Sequence, residues 1–266
     1  MLRDYQQRAI DHLYAWFSSH SEGHPCLELP TGSGKSHIVA ALCQGALTSW
    51  PGTRVLMLTH VKELIRQNAN KMLEHWPDAP LGIYSAGLNQ RELGQPITFA
   101  GIQSVRKRAS EIGHIDLVIV DECHLINHKQ EGGYRGLIDD LTAINPALRV
   151  VGLTATPYRL GHGLITDQPA LFSVLIQPTT MEELIHKKYL APLRSKRTDI
   201  RMSVEGVRKR GGDYREDDLL KALENFDTMS AVHEAMRRAE HCQSILFFCT
   251  GVDHAHEVRD ILRDLG

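Results

Sequence analysis

The sequence predicts an α/β fold with a doubly wound, mostly parallel sheet. Short apolar runs recur along the chain at 26–29, 54–59, 115–120 and 149–154. Such runs have the length of strands that are buried on both faces, as the strands of parallel sheets are. Segments with helical composition or spacing lie between them, for example at 37–47 and 61–73. Strands that alternate with helices are typical of a sheet covered by helices on both faces.

The opening of the chain predicts a helix, then a strand, a loop and a second helix. Apolar side chains recur at helical spacing over 2–17, which predicts one buried helical face. The run 26–29 ends at Pro30 and a glycine-bearing loop, and helical composition returns from His37. Two shorter candidate strands follow at 81–86 and 97–99. The alternation of strand and helix therefore continues along the first half of the chain.

The pattern changes after about residue 179. Two further helices are predicted over 181–189 and 217–241, and the stretch 187–215 carries ten Lys and Arg against three acidic residues. A strand is then predicted over 244–250, followed by a helix from Val252. We therefore expect a first domain over 1–178, a helical and basic connector over 179–241, and the incomplete start of a second α/β domain over 242–266.

Composition indicates a soluble, globular protein. The 266 residues, 42% of them hydrophobic, suffice for a sizeable core. Apolar runs fall short of the roughly 18–20 residues of a membrane helix, and the opening residues do not resemble a signal segment. The five cysteines form no Cys-x-x-Cys pair, which favours the reducing cytoplasm over a zinc finger or disulfide framework. The formal net charge of −2 excludes an overall basic excess, so any binding of nucleic acid must be local.

The loop after the run 26–29 has the composition of a phosphate-binding loop. Its residues are Pro30, Thr31, Gly32, Ser33, Gly34, Lys35 and Ser36. Glycines let backbone amides approach phosphate, and the following helix aims its N-terminal amides at the same point. Lys35 would reach the outer phosphates of a nucleotide, and Ser36 would supply a hydroxyl ligand to magnesium. Leu29 replaces the usual first glycine, but the strand–loop–helix context favours phosphate binding over a chance glycine-rich turn.

The run 115–120 predicts a buried strand that ends in two acids, Asp121 and Glu122. Ligands of open α/β sheets bind at the carboxyl ends of the strands. Asp121 would hold magnesium, directly or through water, and Glu122 would orient and deprotonate an attacking water. The alternative is that the two acids only cap the next helix, which is disfavoured beside a phosphate loop roughly 85 residues earlier.

The run Asp-Glu-Cys-His at 121–124 resembles motif II of the superfamily 2 helicases of the DEAD/DEAH-box type. Five further segments resemble other motifs of that superfamily: 2–7 the adenine-reading segment, 60–67 motif Ia, 100–105 motif Ib, 154–157 motif III and 245–255 motif IV. The segments occur in the order and at the spacing of the superfamily, and together they span nearly the whole chain. The resemblance implies a RecA-like P-loop NTPase domain, followed by the start of a second RecA-like domain.

Four of these segments are most similar to the RadD-like bacterial DNA repair helicases. They read Leu-Arg-x-Tyr-Gln-Gln from residue 2, His-Val-Lys-Glu-Leu from 60, Val-Asp-Glu-Cys-His from 120 and Gly-Leu-Thr-Ala-Thr-Pro-Tyr-Arg-Leu-Gly from 152. The resemblance implies ATP and Mg²⁺ as cofactors. It also implies single-stranded or branched DNA as a partner, bound through its backbone. Single-strand-binding or repair proteins are further expected partners, and a membrane is not.

The resemblance also implies roles for individual residues. Catalytic roles fall to Lys35, Asp121, Glu122 and His124, and magnesium binding to Ser36 and Asp121. Nucleotide binding falls to Arg3, Gln6 and the loop 30–36, with Gln6 as the reader of the base. Contacts to nucleic acid, and their coupling to hydrolysis, fall to His60, Lys62, Arg66, Ser104, Thr154 and Thr156. His124 is expected to hydrogen-bond to Thr154 or Thr156. For Lys62 and Arg66, as for the basic stretch 187–215, a merely solvated surface is the alternative.

Three functions remain open at this point. The first is an ATP-driven DNA helicase or translocase, acting in DNA repair, of which this chain is the N-terminal part. The second is a nucleotide- and nucleic-acid-binding module with little turnover of its own, because Arg259 and Arg263, the arginines after Thr250, lie in nothing that resembles the late helicase motifs. The third is the motor subunit of a restriction enzyme. An RNA helicase is disfavoured, because motif Ia departs from the Pro-Thr-Arg-Glu-Leu pattern of the main RNA group.

Overall fold

The structure is a computed structural model that describes residues 2–126, 133–159, 163–167, 170–210, 213–224 and 226–266. Leu160 and Gly161, which end the segment 152–161 that resembles the RadD-like helicases, lie outside the described residues. The chain separates into two compact units, Met1–Pro192 and Leu193–Gly266. No helix in the described parts of the chain combines the length and apolar character needed to cross a bilayer.

The first unit alternates helices with strands. Its helices are α1 (Asp4–Ser19), α2 (Lys35–Ser49), α3 (Lys62–His75), α4 (Ile102–Val105), α5 (Ala109–Ile112), α6 (Gly133–Ile144) and α7 (Met181–His186). Its strands are β1 (Pro25–Glu28), β2 (Val55–Thr59), β3 (Leu81–Ser85), β4 (Gln90–Arg91), β5 (Ile97–Gly101), β6 (Leu117–Asp121), β7 (Arg149–Thr154), β8 (Tyr158–Arg159), β9 (Gly163–Leu164) and β10 (Val174–Ile176). Short 3₁₀ turns lie at Ala86–Leu88 and Cys123–Leu125.

Eight of these strands form one sheet in the order β10-β1-β7-β6-β2-β5-β3-β4. Its pairings are parallel except that of β3 with the short β4. Strands β1 and β2 are consecutive in the chain but are separated by β7 and β6 in the sheet. The predicted α/β class with a mostly parallel sheet is therefore confirmed.

Each face of the sheet carries its own hydrophobic cluster, because successive strand residues point to opposite faces. In β2, Leu56 and Leu58 belong to one cluster and Val55 and Met57 to the other. Helices α4 to α6 contribute to the first cluster, and α1 to α3 contribute to the second. The sheet is thus buried on both sides, which explains why its strands read as continuous apolar runs rather than as alternating ones.

The sheet order brings the predicted motifs to one edge. Strands β1, β7 and β6 are parallel neighbours, so their carboxyl ends lie side by side. The phosphate loop follows β1, Asp121 ends β6, and Thr154 ends β7. The backbone N–H of Leu29 donates to Thr154 O at 2.8 Å, which continues the pairing of β1 with β7 into the start of the loop.

Two strands of the sheet were not predicted, the two-residue β4 and the edge strand β10. Strand β10 has only three residues, all partly exposed, and its apolar run of three is too short to be recognised as a strand from the sequence. It is recognisable as a strand only through its parallel pairing with β1, in which Leu175 lies opposite Cys26. A short edge strand of this kind depends on its neighbour rather than on its own composition.

The described residues of the second unit form a short hairpin and three helices: β11 (Lys209–Arg210), β12 (Asp213–Tyr214), α8 (Glu216–Leu223), α9 (Thr228–Arg238) and α10 (Val252–Asp264). The single helix predicted over 217–241 is wrong, because α8 and α9 are separate. The Asp227 side chain accepts a hydrogen bond from Ser230 N at 2.9 Å and caps the start of α9.

The strand predicted over 244–250 is also absent from the described residues of the second unit. A strand is stable only when a neighbour satisfies its backbone hydrogen bonds, and the other described segments of this unit form only the β11–β12 hairpin. Leu246 and Phe248 are 75% and 91% exposed, so the apolar residues that suggested a buried strand are not buried here. The helix predicted from Val252 is present as α10.

Candidate functional site

The phosphate loop turns tightly between β1 and α2. Gly32 and Gly34 have φ angles of +79° and +78°, in the left-handed region that glycine adopts without strain. A Cβ on Gly34 would lie 2.7 Å from Gln6 Nε2 and 3.2 Å from His37 Nδ1, so a side chain there has no room. Helix α2 begins at the next residue, Lys35, and its first backbone amides point back into the loop. The loop therefore has the backbone geometry of a phosphate cradle.

The start of α1 is tied to this loop. Tyr5 Oη donates to Ser33 O at 2.6 Å, and Gln6 Nε2 donates to the same oxygen at 3.1 Å. Gln6 Oε1 accepts the Arg3 backbone N–H at 2.9 Å. Gln6 is only 3% exposed, so its amide links the helix start to the loop. Its reading of the base remains a prediction. Tyr5 was not singled out in the sequence, since its role depends on a contact 28 residues away.

A segment we call the strap, residues 179–190, packs on α1 and on the loop. Arg8 pairs with Glu183 at 2.8 Å, and Lys187 pairs with both Glu183 and Asp4. Hydrogen bonds from Lys187 and Arg8 lower the pKa of Glu183 to about 2, so these contacts hold at neutral pH. The strap was not predicted to contribute to the site, because its contacts join residues about 180 positions apart in the chain.

The end of the strap lies beside the residues assigned to the nucleotide. The Arg3 guanidinium lies 4.3 Å from the centre of the Tyr189 ring, a cation–π contact. Tyr189 also packs on Tyr5, with ring centres 5.6 Å apart. A Cβ on Gly32 would meet the Leu190 side chain at 2.9 Å, so Leu190 covers the loop.

Lys35 lies between the loop and the acid pair. Its Nζ donates to Leu29 O at 3.3 Å and is 3.9 Å from Glu122 Oε1. The Lys35 side chain is only 19% exposed, and Glu122 is its acidic partner across the site. The ammonium is thus held at the loop, and its long contact with Glu122 leaves it able to bind an anion.

The two acids point in different directions. Asp121 Oδ1 accepts the Glu122 backbone N–H at 3.1 Å, and Asp121 Oδ2 accepts Nδ2 of Asn68 at 2.9 Å. Glu122 has a φ of +48°, a left-handed conformation that costs a non-glycine residue of order 1–3 kcal/mol. This turn ends β6 and directs the Glu122 carboxylate toward Lys35 and His124. Adjacent acids therefore have separate surroundings, as two separate roles require.

His124 connects the acid pair to the end of β7. His124 Nδ1 lies 2.9 Å from Thr154 Oγ1 and 3.4 Å from Glu122 Oε2. Thr154 Oγ1 donates to Thr156 O at 3.2 Å and accepts the Thr156 N–H at 3.0 Å. Since the one hydroxyl proton is used toward Thr156 O, this network assigns the proton of the contact to His124 Nδ1. The expected hydrogen bond between His124 and Thr154 is present.

The residues predicted to contact nucleic acid lie further along the same edge. His60, Lys62 and Arg66 are exposed at and beyond the end of β2. The turn Ala86–Leu88 brings two of the predicted residues into one neighbourhood: Ser104 Oγ accepts the Ala86 N–H at 2.9 Å, and a Cβ on Gly87 would lie 3.2 Å from the Lys62 side chain. Thr156 is exposed. Direct contact between this group and Lys35, Asp121 or Glu122 is not seen in the described residues.

The donor set fits a magnesium–nucleotide complex. Lys35, Ser36, Asp121 and Glu122 line one cavity of about 160 Å³. The Ser36 hydroxyl and the Asp121 carboxylate are the hard oxygen ligands that magnesium prefers, and Lys35 supplies the positive charge that phosphate needs. Ser33 Oγ is buried without a hydrogen-bond partner among the described residues, which leaves a polar atom for a ligand or water in the loop.

Known proteins are similar to this chain in sequence. A 51.5 kDa protein of a Lactococcus phage is 28% identical over 221 residues, which are 83% of this chain and 43% of the relative. The ATP-dependent DNA helicase uvsW of Enterobacteria phage T4 is 22% identical over 246 residues, which are 90% of this chain and 47% of the relative. The chain thus spans less than half the length of these curated relatives.

The fold has solved counterparts. The crystal structure of the UvsW helicase from bacteriophage T4 superposes with a TM-score of 0.50 at 21% identity, covering 66% of this chain and 60% of that one. Its likeness supports the RecA-like fold. Residues 1–159 match the family model described as type III restriction enzyme, res subunit. Because this match covers more than half of the chain, the protein belongs to that res-subunit family and, with it, to the superfamily 2 helicases.

Proposed function

We propose that this chain is part of an ATP-dependent DNA helicase or translocase. One observation carries the proposal. A single cavity is lined by Lys35, Ser36, Asp121 and Glu122, and His124, beside Glu122, hydrogen-bonds to Thr154. Phosphoryl transfer from ATP requires these groups: a cationic side chain, a hydroxyl and two carboxylates. The name of the phage T4 relative, an ATP-dependent DNA helicase, supports movement on DNA as the output.

In this proposal each side chain has one task. The amides of 32–36 and the Lys35 ammonium hold the phosphates, while Ser36 and Asp121 hold magnesium. Magnesium bound there would neutralise charge that develops on the transferred phosphoryl group. Glu122 orients the attacking water and accepts its proton. Arg3 and Gln6 bind the base.

His124 and Thr154 couple this chemistry to the DNA surface. A change in the position of Glu122 alters its 3.4 Å contact with His124 and, through the hydrogen bond to Thr154, the exposed Thr156. His60, Lys62, Arg66 and Ser104 contact backbone phosphates, which position a strand without reading its sequence. Single-stranded or branched DNA is the proposed partner, with single-strand-binding or repair proteins as further partners.

The domain organisation is part of the same proposal. Residues 1–178 form the ATP-binding RecA-like domain, 179–241 a connector, and 242–266 the beginning of a second RecA-like domain. The second RecA-like domain would supply an arginine that raises the rate of ATP hydrolysis by about 10³- to 10⁵-fold. We further propose a RadD-like role in DNA repair in the cytoplasm, based on the motif sequences.

A second function is favoured by the family match. The res-subunit model that covers 1–159 describes a restriction enzyme, so a motor subunit of such an enzyme is the alternative. Both functions use the same ATP site. They differ in whether a nuclease partner joins the motor. A third outcome is a nucleotide- and DNA-binding module with little turnover by itself.

Steady-state ATPase assays with and without single-stranded DNA test these functions. We expect Lys35→Ala to abolish ATP binding, because it removes the cation of the cavity. Glu122→Gln should keep ATP binding but lower turnover by about 10²- to 10⁴-fold, the usual contribution of a general base. Lys221→Ala, at an exposed lysine of the second unit, is the matched control and should behave as wild type.

The outcome of the assay separates the alternatives. Strong stimulation by DNA on this chain alone excludes the module with little turnover. Lys35-dependent ATP binding without turnover supports that module. Copurification with a nuclease, and DNA cleavage that depends on ATP, would favour the restriction motor. ATP binding that is unaffected by Lys35→Ala would refute the proposed site.

A further inference from the structure

Asn68 of α3 makes a hydrogen bond that lies outside the helicase motif assignments. Its Nδ2 donates to Asp121 Oδ2 at 2.9 Å, across 53 positions of the chain. Asp121 Oδ1 accepts a second hydrogen bond from the Glu122 backbone N–H at 3.1 Å. Each oxygen of the Asp121 carboxylate therefore has a donor, so the plane of the group is fixed.

A fixed carboxylate matters for a cation, because the last torsion of an aspartate side chain is otherwise broad. Each carboxylate oxygen has two lone pairs, so both oxygens of Asp121 keep one for a cation or for its bound water. Partners that orient a metal-binding carboxylate are typically worth about 10- to 100-fold in metal affinity or activity. Asn68 lines the same cavity as Asp121, Lys35 and Ser36, so it acts at the site itself.

Helix α3 holds Asn68 in place. Ile65, Ala69 and Met72 are at most 2% exposed and pack into the cluster on one face of the sheet. Asn68 lies at the border of this buried stripe and is partly exposed, whereas Arg66 of the same helix is exposed. One rigid helix thus carries both a candidate DNA contact and the partner of Asp121.

We infer that Asn68 is a positioning residue for the divalent cation, and that it links cation binding to the position of α3. This inference rests on the proposed function, since it takes Asp121 as a cation ligand. A shift of α3 when Lys62 and Arg66 meet DNA changes the Asn68–Asp121 hydrogen bond, and with it the affinity for the cation. By linkage, the bound cation then changes the affinity for DNA by the same factor.

The test measures what the cation adds to nucleotide binding. The affinity of the 266-residue chain for a fluorescent ATP analogue is determined in EDTA and in excess Mn²⁺, and the ratio of the two is the readout. Asn68→Leu removes the donor and keeps the branched shape of the side chain, and Asn68→Ala removes both. Asn70→Ala removes an exposed amide from the same helix and is the control. We expect both Asn68 variants to lower the ratio by about 10- to 100-fold, with affinity in EDTA unchanged.

Each outcome decides the question. A wild-type ratio in folded Asn68 variants overturns the role of Asn68 while leaving the ATP site intact. Equal weakening in EDTA and in Mn²⁺ also overturns it, because that result shows general damage to the nucleotide site. If wild type shows no Lys35-dependent nucleotide binding, the proposed function fails and this inference fails with it. If one Asn68 variant unfolds at a lower urea concentration than wild type, the affinity ratio of the other Asn68 variant is used.

Discussion

Replacement of Thr154 by valine removes one hydroxyl group and almost no volume. That hydroxyl lies 2.9 Å from His124 Nδ1, and Thr154 is fully buried at the end of β7. Its other two hydrogen bonds go to the backbone of Thr156, which is exposed and can turn to water. The His124 side chain is only 23% exposed, so water replaces the lost hydroxyl poorly, and Nδ1 keeps the longer contact of 3.4 Å with Glu122 Oε2.

The loss of stability follows from the hydrogen bonds that Thr154→Val removes. Loss of the His124–Thr154 hydrogen bond costs about 1–2 kcal/mol, because the mostly buried ring keeps only the longer contact with Glu122 and partial access to water. With an m value of about 2 kcal/mol/M in urea, the unfolding midpoint falls by roughly 0.5–1 M. In a His124→Phe background there is no ring nitrogen to which the Thr154 hydroxyl could bond. Thr154→Val should therefore cost about 1 kcal/mol less there.

Urea unfolding followed by tryptophan fluorescence is the assay. The three tryptophans, Trp16, Trp50 and Trp76, all lie in the first unit, so the signal reports that unit alone. The four proteins of the cycle are wild type, each single variant and the double variant. Equal costs of Thr154→Val in both backgrounds would show that the two side chains are not coupled, and would refute the reasoning. A Thr154→Val variant as stable as wild type would refute it as well.

Two further predictions concern the loop and acid stability. Gly34→Ala should abolish ATP binding, because its Cβ would lie 2.7 Å from Gln6 Nε2. The control is Gly52→Ala, which is also at positive φ but has nothing within 4 Å of the added Cβ, so it should lose only stability. Equal ATP binding by both variants in a fluorescence titration would contradict the steric argument. Burial, together with the nearby Arg149 guanidinium, lowers the pKa of His24 to about 4. The unfolded chain therefore takes up this proton at higher pH than the folded chain, so stability falls as the pH drops below about 6.5 and levels off near pH 4. His24→Gln should flatten that fall in urea midpoints measured between pH 7.5 and 4, and parallel profiles for the two proteins would contradict the assignment.

The sequence predicted the parts of the site that depend on local structure. A phosphate loop consists of one strand end, one turn and one helix start, so its residues stand together in the chain. The acid pair at Asp121 and Glu122 ends a strand of the same parallel sheet, and such strand ends share an edge. The hydrogen bond from His124 to Thr154 was also expected, because the runs 121–124 and 154–157 resemble motifs II and III of the helicases.

Predictions failed where a segment lacked a partner or where a cap interrupted it. The helical pattern over 217–241 did not reveal that Asp227 would begin a new helix. The apolar run over 244–250 has strand composition, but no neighbour pairs with it in the described residues. Periodicity shows which residues are able to pack, and it does not show against what.

By itself the sequence determined the α/β class, the phosphate loop at 30–36 and the acids that end β6. Only the tertiary structure decided which side chains hold these groups: Asn68 on Asp121, Tyr5 and Gln6 on Ser33, and Leu190 over Gly32. The physical reason is distance along the chain. Motifs are encoded in runs of a few residues, whereas their supporting contacts join α1, α3 and the strap, which chain folding alone brings to one edge of the sheet.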